Sequence, residues 1–222
     1  MQGRRTSARR ARTAAEVDVV VVPGQVGALY LAEPTDEQIA RLVATISEHP
    51  WCGPVFTRAG NEIDGMAPGS LGNHLVFADH ARAPDVSFSF RADDGVDPFG
   101  LIGGTFYDND RRTGLGVHGG LHPKELAALG IVAGSAFPAA GSVSTAPSGI
   151  CDFAPTILHL LEIGRPNTMN GRVLHELLWD PDRANAAIRH ESFEAKLGRF
   201  RQVLRRVQVG DATYVESGTA EG

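Results

Sequence analysis

His118 and His122, four residues apart in GVHGGLHP (residues 116–123), are the side chains in this sequence whose spacing most invites metal chemistry. Imidazoles at i and i+4 on one helix face share an ion in zinc proteases of the HExxH type. Here Gly119, Gly120 and Pro123 work against a continuous helix across the pair. A zinc site also needs three or four ligands, and the octapeptide offers at most two. From spacing alone, a structural or solvent-facing role outweighs a metal-binding one.

Three other groupings could do chemistry. Asp93, Asp94, Asp97, Asp108 and Asp110 lie in a Gly-, Asp- and Asn-rich stretch from 93 to 120. Its DNDRRTG begins like a calcium loop, but Thr113 and Gly119 stand where an EF-hand needs Gly and Glu. A solvated acidic loop is therefore the expectation. Asp79-His80 sits in ADHARAPD with Arg82 and Asp85, a context that reads more readily as an ion-paired turn than as a ligand pair. Ser142, Ser144 and Ser148 occupy a loop without the GxSxG elbow that exposes a nucleophile. No phosphate-cradling P-loop or dinucleotide glycine pattern is present.

The elements that must position these groups alternate between strand and helix periods. VDVVVV (17–22) and ALYL (28–31) predict two strands around Pro23-Gly24. Ile39, Leu42, Val43 and Ile46 recur at helical spacing, with Thr35 or Asp36 as cap and Pro50 beyond. Strands are expected at 54–57 and 84–90, the second putting Val86, Phe88 and Phe90 on one face. Residues 60–75 read as a loop with at most one short helix. A short helix follows Pro123, then a buried strand at Gly130-Ile-Val-Ala-Gly. Asp152 stands at an N-cap with Pro155 in the first turn of the next helix. Leu174, Leu177 and Leu178 mark another short helix. The tail has a helical period over 183–200, then strands at 203–209 and 213–216 joined near Gly210-Asp211. Alternating strands and helices imply an α/β layer architecture.

Composition bounds the function class. The chain has 222 residues and a formal charge of −5. Beyond the Arg-rich residues 1–16, a basic leader expected to be disordered, no basic stripe with interleaved aromatics supports nucleic-acid binding. Cys52 and Cys151 lack the spacing of a metal or redox motif and read as two buried thiols. No apolar run approaches the roughly 20 residues of a membrane span. The expectation is a cytoplasmic protein without membrane or nucleic-acid partners.

GVHGGLHPKELAALGIVAGSAF (116–137), PSGICDFAPTILHLLEI (147–163) and MNGRVLHELL (169–178), in this order and spacing, resemble the C-terminal part of the alkaline phosphatase superfamily. The likeness is strongest to its branch of type I phosphodiesterases and nucleotide pyrophosphatases. It extends upstream through GPVFTR to DHARAPDVSFSF and covers roughly residues 17–178. The resemblance implies a 17–180 domain that is an incomplete alkaline-phosphatase-like α/β sheet with flanking helices; the spacing beyond it predicts a helical tail at 181–222 with a terminal hairpin. It also implies a phosphate-ester small molecule as family substrate, two zinc ions as cofactor, and His118 as a late metal ligand. His122 stands where the family often has Ser, and no role carries over to it. Asp79-His80 differs from the family's SDHG.

The departures bear directly on activity. Residues 1–115 hold no counterpart of the family's first Asp ligand, its Thr or Ser nucleophile, its Asp–His pair or its SDHG. Ser135 and Asn170 replace a usual Pro and Asp. Two-zinc phosphoryl chemistry needs ions held close together by about six side chains, and one imidazole does not supply them. The resemblance therefore implies the C-terminal portion of such a hydrolase, inactive alone. An alternative is a binding or partner protein that folds alone, or docks on a separate N-terminal half and donates His118 to a shared site; self-association is the other partner expectation. An autonomous site rebuilt from His118, His122, Asp108 and Asp110 ranks below both. A parallel sheet without its leading strands would also expose an edge and apolar faces.

Overall fold

The computed structural model describes residues 19–22, 26–96, 98–106, 118–138, 143–178 and 187–222. The valine run and ALYL form β1 (Val19–Val22) and β2 (Val26–Leu31), antiparallel with Val20 opposite Tyr30, as their β-branched composition predicts. Thr35 and Gln38 close a reciprocal capping box at the start of α1 (Asp36–Ser47), each satisfying a backbone N–H of the other. The helix buries Ile39, Val43 and Ile46 against Leu29, Val55, Val86 and Phe88. These last residues belong to a five-stranded sheet of order β1-β2-β5-β3-β4, with β3 at Cys52–Thr57, β4 at Leu71–Gly72 and β5 at Val86–Phe90. A 3-10 turn at Asn73–Val76 is the short helix expected in the 60–75 loop.

β3 is buried along its whole length although it contains Pro54, which a central strand ordinarily excludes. A register shift between Cys52 and Val55 accommodates it, and Gly53 is required there because a Cβ would lie 2.6 Å from the Ser89 carbonyl oxygen. Val55 resumes the ladder opposite Phe88. Its other edge runs beyond the two residues of β4 and meets a side chain from the second sheet. Gln202 Oε1 accepts the Val55 N–H at 2.9 Å, and its Nε2 donates to the Val55 carbonyl at 3.1 Å and to the Gly69 carbonyl. One fully buried amide thus stands in for a missing strand.

That second sheet is the meander β8 (Ile188–Leu197), β9 (Phe200–Val209) and β10 (Ala212–Glu221), with β9 central. Gly198 and Gly210 begin its two tight turns with φ of +60° and +59°, a conformation that suits glycine at this position. The hairpin expected near Gly210-Asp211 is present; the helical tail over 181–222 is not, since all of Ile188–Leu197 is strand. Phe193 and Ala195 turn toward Leu71, Leu75 and Leu204, while Glu194 faces outward to pair with Lys196 at 2.7 Å and with Arg201. This period-2 packing overrides the helical spacing read from the same residues. Charges along β8, an edge strand, also discourage pairing with further strands.

β9 changes its buried face along its length. Phe200, Gln202 and Leu204 point into the first sheet, whereas Val207 and Val209 join Ala212 and Tyr214 in a separate cluster. The remaining elements are an antiparallel hairpin of β6 (Ala92–Val96) and β7 (Ile102–Thr105), α2 (Pro123–Leu126), α3 (Phe153–Leu160) and a 3-10 turn at His175–Leu177. The chain is α/β in the broad sense of helices mixed with sheets. Among the described residues only the β3–β4 pair is parallel. Gly130-Ile-Val-Ala-Gly is a second correction: it forms no strand, and Leu129 and Ile131 are 87% and 78% exposed. The segment pairs with no described strand. No helix among the described residues is long and apolar enough to cross a membrane.

Candidate functional site

The two histidines of GVHGGLHP have different environments. His122 is buried and is the N-cap of α2, its Nδ1 accepting the Lys124 N–H at 3.2 Å. Nδ1 is thereby the acceptor nitrogen, so Nε2 carries the hydrogen and donates to Asp94 Oδ1 at 3.1 Å. Gly103, at φ +105°, lets the hairpin approach the His122 ring. His122 thus fastens the β6–β7 hairpin to α2. His118 is exposed.

The other expected donors are dispersed. Asp93 accepts the Gly95 N–H within its own hairpin at 2.7 Å. Asp97, Asp108, Asp110 and Ser142 lie outside the described residues. Asp79 and His80 are exposed; His80 Nδ1 accepts the Arg82 N–H, and Asp85 fixes the same turn to β2 by accepting the Leu31 N–H at 2.8 Å. Ser144 accepts the Ala146 N–H, and Ser148 is exposed. Among the described residues no three imidazole, thiol or carboxylate groups are grouped to hold a metal ion. The described donors are not arranged to hold a pair of zinc ions.

The polar groups that do converge surround Asp152, which is fully buried. Its carboxylate accepts the Gly149 N–H at 2.7 Å, the Arg172 N–H at 2.8 Å and the Tyr214 hydroxyl at 2.9 and 3.0 Å. It occupies the expected cap position of α3, but it reaches back to Gly149 across the 3-10 turn Ile150–Asp152 instead of capping α3 itself. Thr156 donates to the Asp152 carbonyl at 2.7 Å and accepts the Leu174 N–H at 3.0 Å. A Cβ at Gly171 would fall 2.1 Å from the Cys151 carbonyl oxygen, so the close approach of 171 to 151 requires glycine.

Arg172 completes this junction. It donates to both Glu176 oxygens and to the Pro147 carbonyl at 2.9 Å. The Glu176 hydrogen bonds hold the guanidinium above its usual range. Burial works to raise the Glu176 carboxyl, but the Arg172 hydrogen bonds, a backbone hydrogen bond and the Arg172 and His175 charges together outweigh it, and the net shift is downward. Burial and then the Asp152 hydrogen bond push the Tyr214 hydroxyl above the usual tyrosine range. The carboxylate at the centre is saturated with donors, an arrangement that joins segments. Sequence reading placed Asp152 in a helix start and Tyr214 in a strand; no local pattern signals that two residues 62 positions apart meet. Comparison of the chain with protein-family models, curated proteins and solved structures gives no match.

Of the two expected buried thiols, Cys52 is buried and Cys151 is exposed. Burial, partly offset by the Arg91 charge, pushes the Cys52 thiol up to about 12. Burial and the Asp152 carboxylate also raise the Cys151 thiol. A thiol–disulfide reagent is expected to label one equivalent in the folded chain, faster as pH rises past the ordinary thiol range, and the second only on unfolding. Two equivalents reacting at the same rate in the native protein would contradict this assignment.

Proposed function

We propose that the chain is the C-terminal portion of a metal-dependent phosphodiesterase or nucleotide-pyrophosphatase-like hydrolase, inactive alone. One observation supports the family reading. Asp152 and Thr156 of PSGICDFAPT, and Gly171 and Arg172 of MNGR, meet at a single buried junction. Two motifs matched by chance would have no reason to interlock through their own motif residues. The Asp, Thr, Gly and Arg each have a physical role there, and Gly171 and Asp152 admit few substitutes. This supports the finer reading of the fold as part of an alkaline-phosphatase-like domain. The exposed His118 favours a second reading, a partner subunit that donates this imidazole to a site completed by a separate N-terminal half.

Elemental analysis of zinc per chain, alongside hydrolysis of a chromogenic phosphodiester with zinc in excess, tests the proposal. Substoichiometric zinc and no turnover are expected for the chain alone, with His118→Ala indistinguishable from it. Stoichiometric zinc and turnover that vanishes in His118→Ala would replace the proposal with an autonomous, rebuilt site.

A further inference from the structure

Asparagine is a thermolabile side chain, and its fate depends on the residue that follows it. Of the six asparagines in the chain, Asn170 alone precedes a glycine. Glycine places no Cβ beside its own backbone nitrogen, so that nitrogen is open to approach from the preceding side chain. Asn170 is exposed, and residues 169–174 are neither helix nor strand. The side chain of Asn61, by contrast, is engaged in its own turn, its Oδ1 accepting the Ile63 and Asp64 N–H groups at 2.8 Å. Asn73 is buried at the start of its 3-10 turn, and the β-branched Thr168 follows Asn167.

We propose that Asn170-Gly171 is a spontaneous modification site, at which the asparagine of the folded chain converts to aspartate and isoaspartate. The proposal stands apart from the family reading, and the reaction needs only water and a base. The base takes the Gly171 N–H proton as the nitrogen attacks Asn170 Cγ; the Cγ–Nδ2 bond breaks, and ammonia leaves behind a cyclic succinimide. Water then opens the ring. Breaking the bond from nitrogen to the side-chain carbonyl gives aspartate with the main chain unchanged. Breaking the bond to the main-chain carbonyl gives isoaspartate, whose main chain runs through Cβ and Cγ and is longer by a methylene. No oxidation or reduction occurs on either route.

The fold gives the two products different consequences. Gly171 is pinned: its carbonyl accepts from Arg165 Nη1 at 2.6 Å, a Cβ on it would fall 2.1 Å from the Cys151 carbonyl oxygen, and Asp152 holds the next N–H, that of Arg172, at 2.8 Å. An extra methylene directly ahead of this residue meets no slack downstream. It pushes Gly171 off Cys151 or draws the Arg172 N–H away from Asp152. Aspartate leaves that geometry intact and adds only a charge at an exposed position.

Upstream the chain has the freedom that the reaction uses. Residues 161–168 are exposed. Bringing the Asn170 side chain onto the Gly171 nitrogen turns the Cα–C bond of residue 170, which moves this exposed segment and leaves the 170–171 peptide plane in place. The buried junction therefore does not block ring closure, yet it registers which product forms.

Incubating the full chain at neutral and at mildly alkaline pH, with peptide mapping by mass spectrometry and enzymatic methylation of isoaspartate, tests this. Asn170 is expected to exchange NH2 for OH faster than every other asparagine, and faster at the higher pH, with isoaspartate among the products. The isoaspartate fraction is expected to melt about 5 °C below fresh protein, as the loss of one buried hydrogen bond to a carboxylate produces in a chain of this size. Asn170→Asp is expected to melt with the parent, which separates the added charge from the lengthened main chain. Asn170→Gln, whose longer side chain disfavours ring closure, is expected to stay unmodified at 170. No accumulation at 170 beyond that at the other asparagines, or conversion only after unfolding, would overturn the proposal, as would an isoaspartate fraction as stable as the parent.

Discussion

Replacing Gln202 with leucine is expected to lower the stability of the folded chain by about 2–4 kcal/mol and its melting temperature by about 10 °C. Leucine is close to glutamine in volume, so the change opens little cavity. What it removes is the amide that accepts the Val55 N–H and donates to the Val55 and Gly69 carbonyls. These are backbone groups in a fully buried stretch, and water cannot replace the lost partner. Each unsatisfied group costs about 1–3 kcal/mol, and partial relaxation keeps the total below the sum. Gln202→Glu is expected to be at least as costly at neutral pH, because a carboxylate accepts from Val55 but cannot donate to either carbonyl. Gln208→Ala is the control, with a change within about 0.5 kcal/mol, since its amide bonds lie at the exposed surface. Denaturant unfolding of the three variants gives the comparison. A Gln202→Leu protein as stable as the parent would mean that the two sheets are not joined through this amide.

Gln202 also marks the limit of what could be read from sequence. The local elements were legible wherever a period and a stop signal agreed. α1 had a cap at Thr35 with Gln38 three residues on, and β9–β10 had alternation on both sides of Gly210. A glutamine in a strand reads as surface, because nothing nearby indicates that another sheet ends early opposite it. β8 was hidden by helix-like spacing that only pairing with β9 overrides. The strand read at 130–134 has the right residues and no described neighbour to pair with, and strand formation depends on that neighbour. For the site, sequence singled out His118 through a resemblance and left His122 without a role. His122 turned out to be a helix cap, a use of imidazole that spacing does not reveal. The Asp152 junction was visible only as separate motifs, since its closing contact with Tyr214 spans 62 residues.

The largest loss of all is expected from Asp152→Ala, about 3–5 kcal/mol, which strands the Gly149 and Arg172 N–H groups and the Tyr214 hydroxyl in a buried position. Asp152→Asn retains one acceptor oxygen but turns an NH2 toward other donors, so it recovers only part of this. Tyr214→Phe removes one donor and is expected to cost about 1–2 kcal/mol. Because the residues touch, the double variant should cost less than the two single ones added together, by at least about 1 kcal/mol. The hydroxyl gives the junction a pH signature with a definite sign. Its folded value lies above the unfolded tyrosine value of about 10. The contribution from the neutral hydroxyl is therefore fully present below pH 10 and is lost as pH rises through the folded value. In an alkaline titration followed by tyrosinate absorbance, one of the chain's three tyrosines should remain protonated after an ordinary tyrosine has ionised, and that late step should vanish in Tyr214→Phe. If the titration is unchanged in Tyr214→Phe, or if the Asp152 and Tyr214 effects simply add, the carboxylate does not tie the 147–178 segment to the C-terminal sheet. The interlocking of the two motifs would then lose its energetic basis.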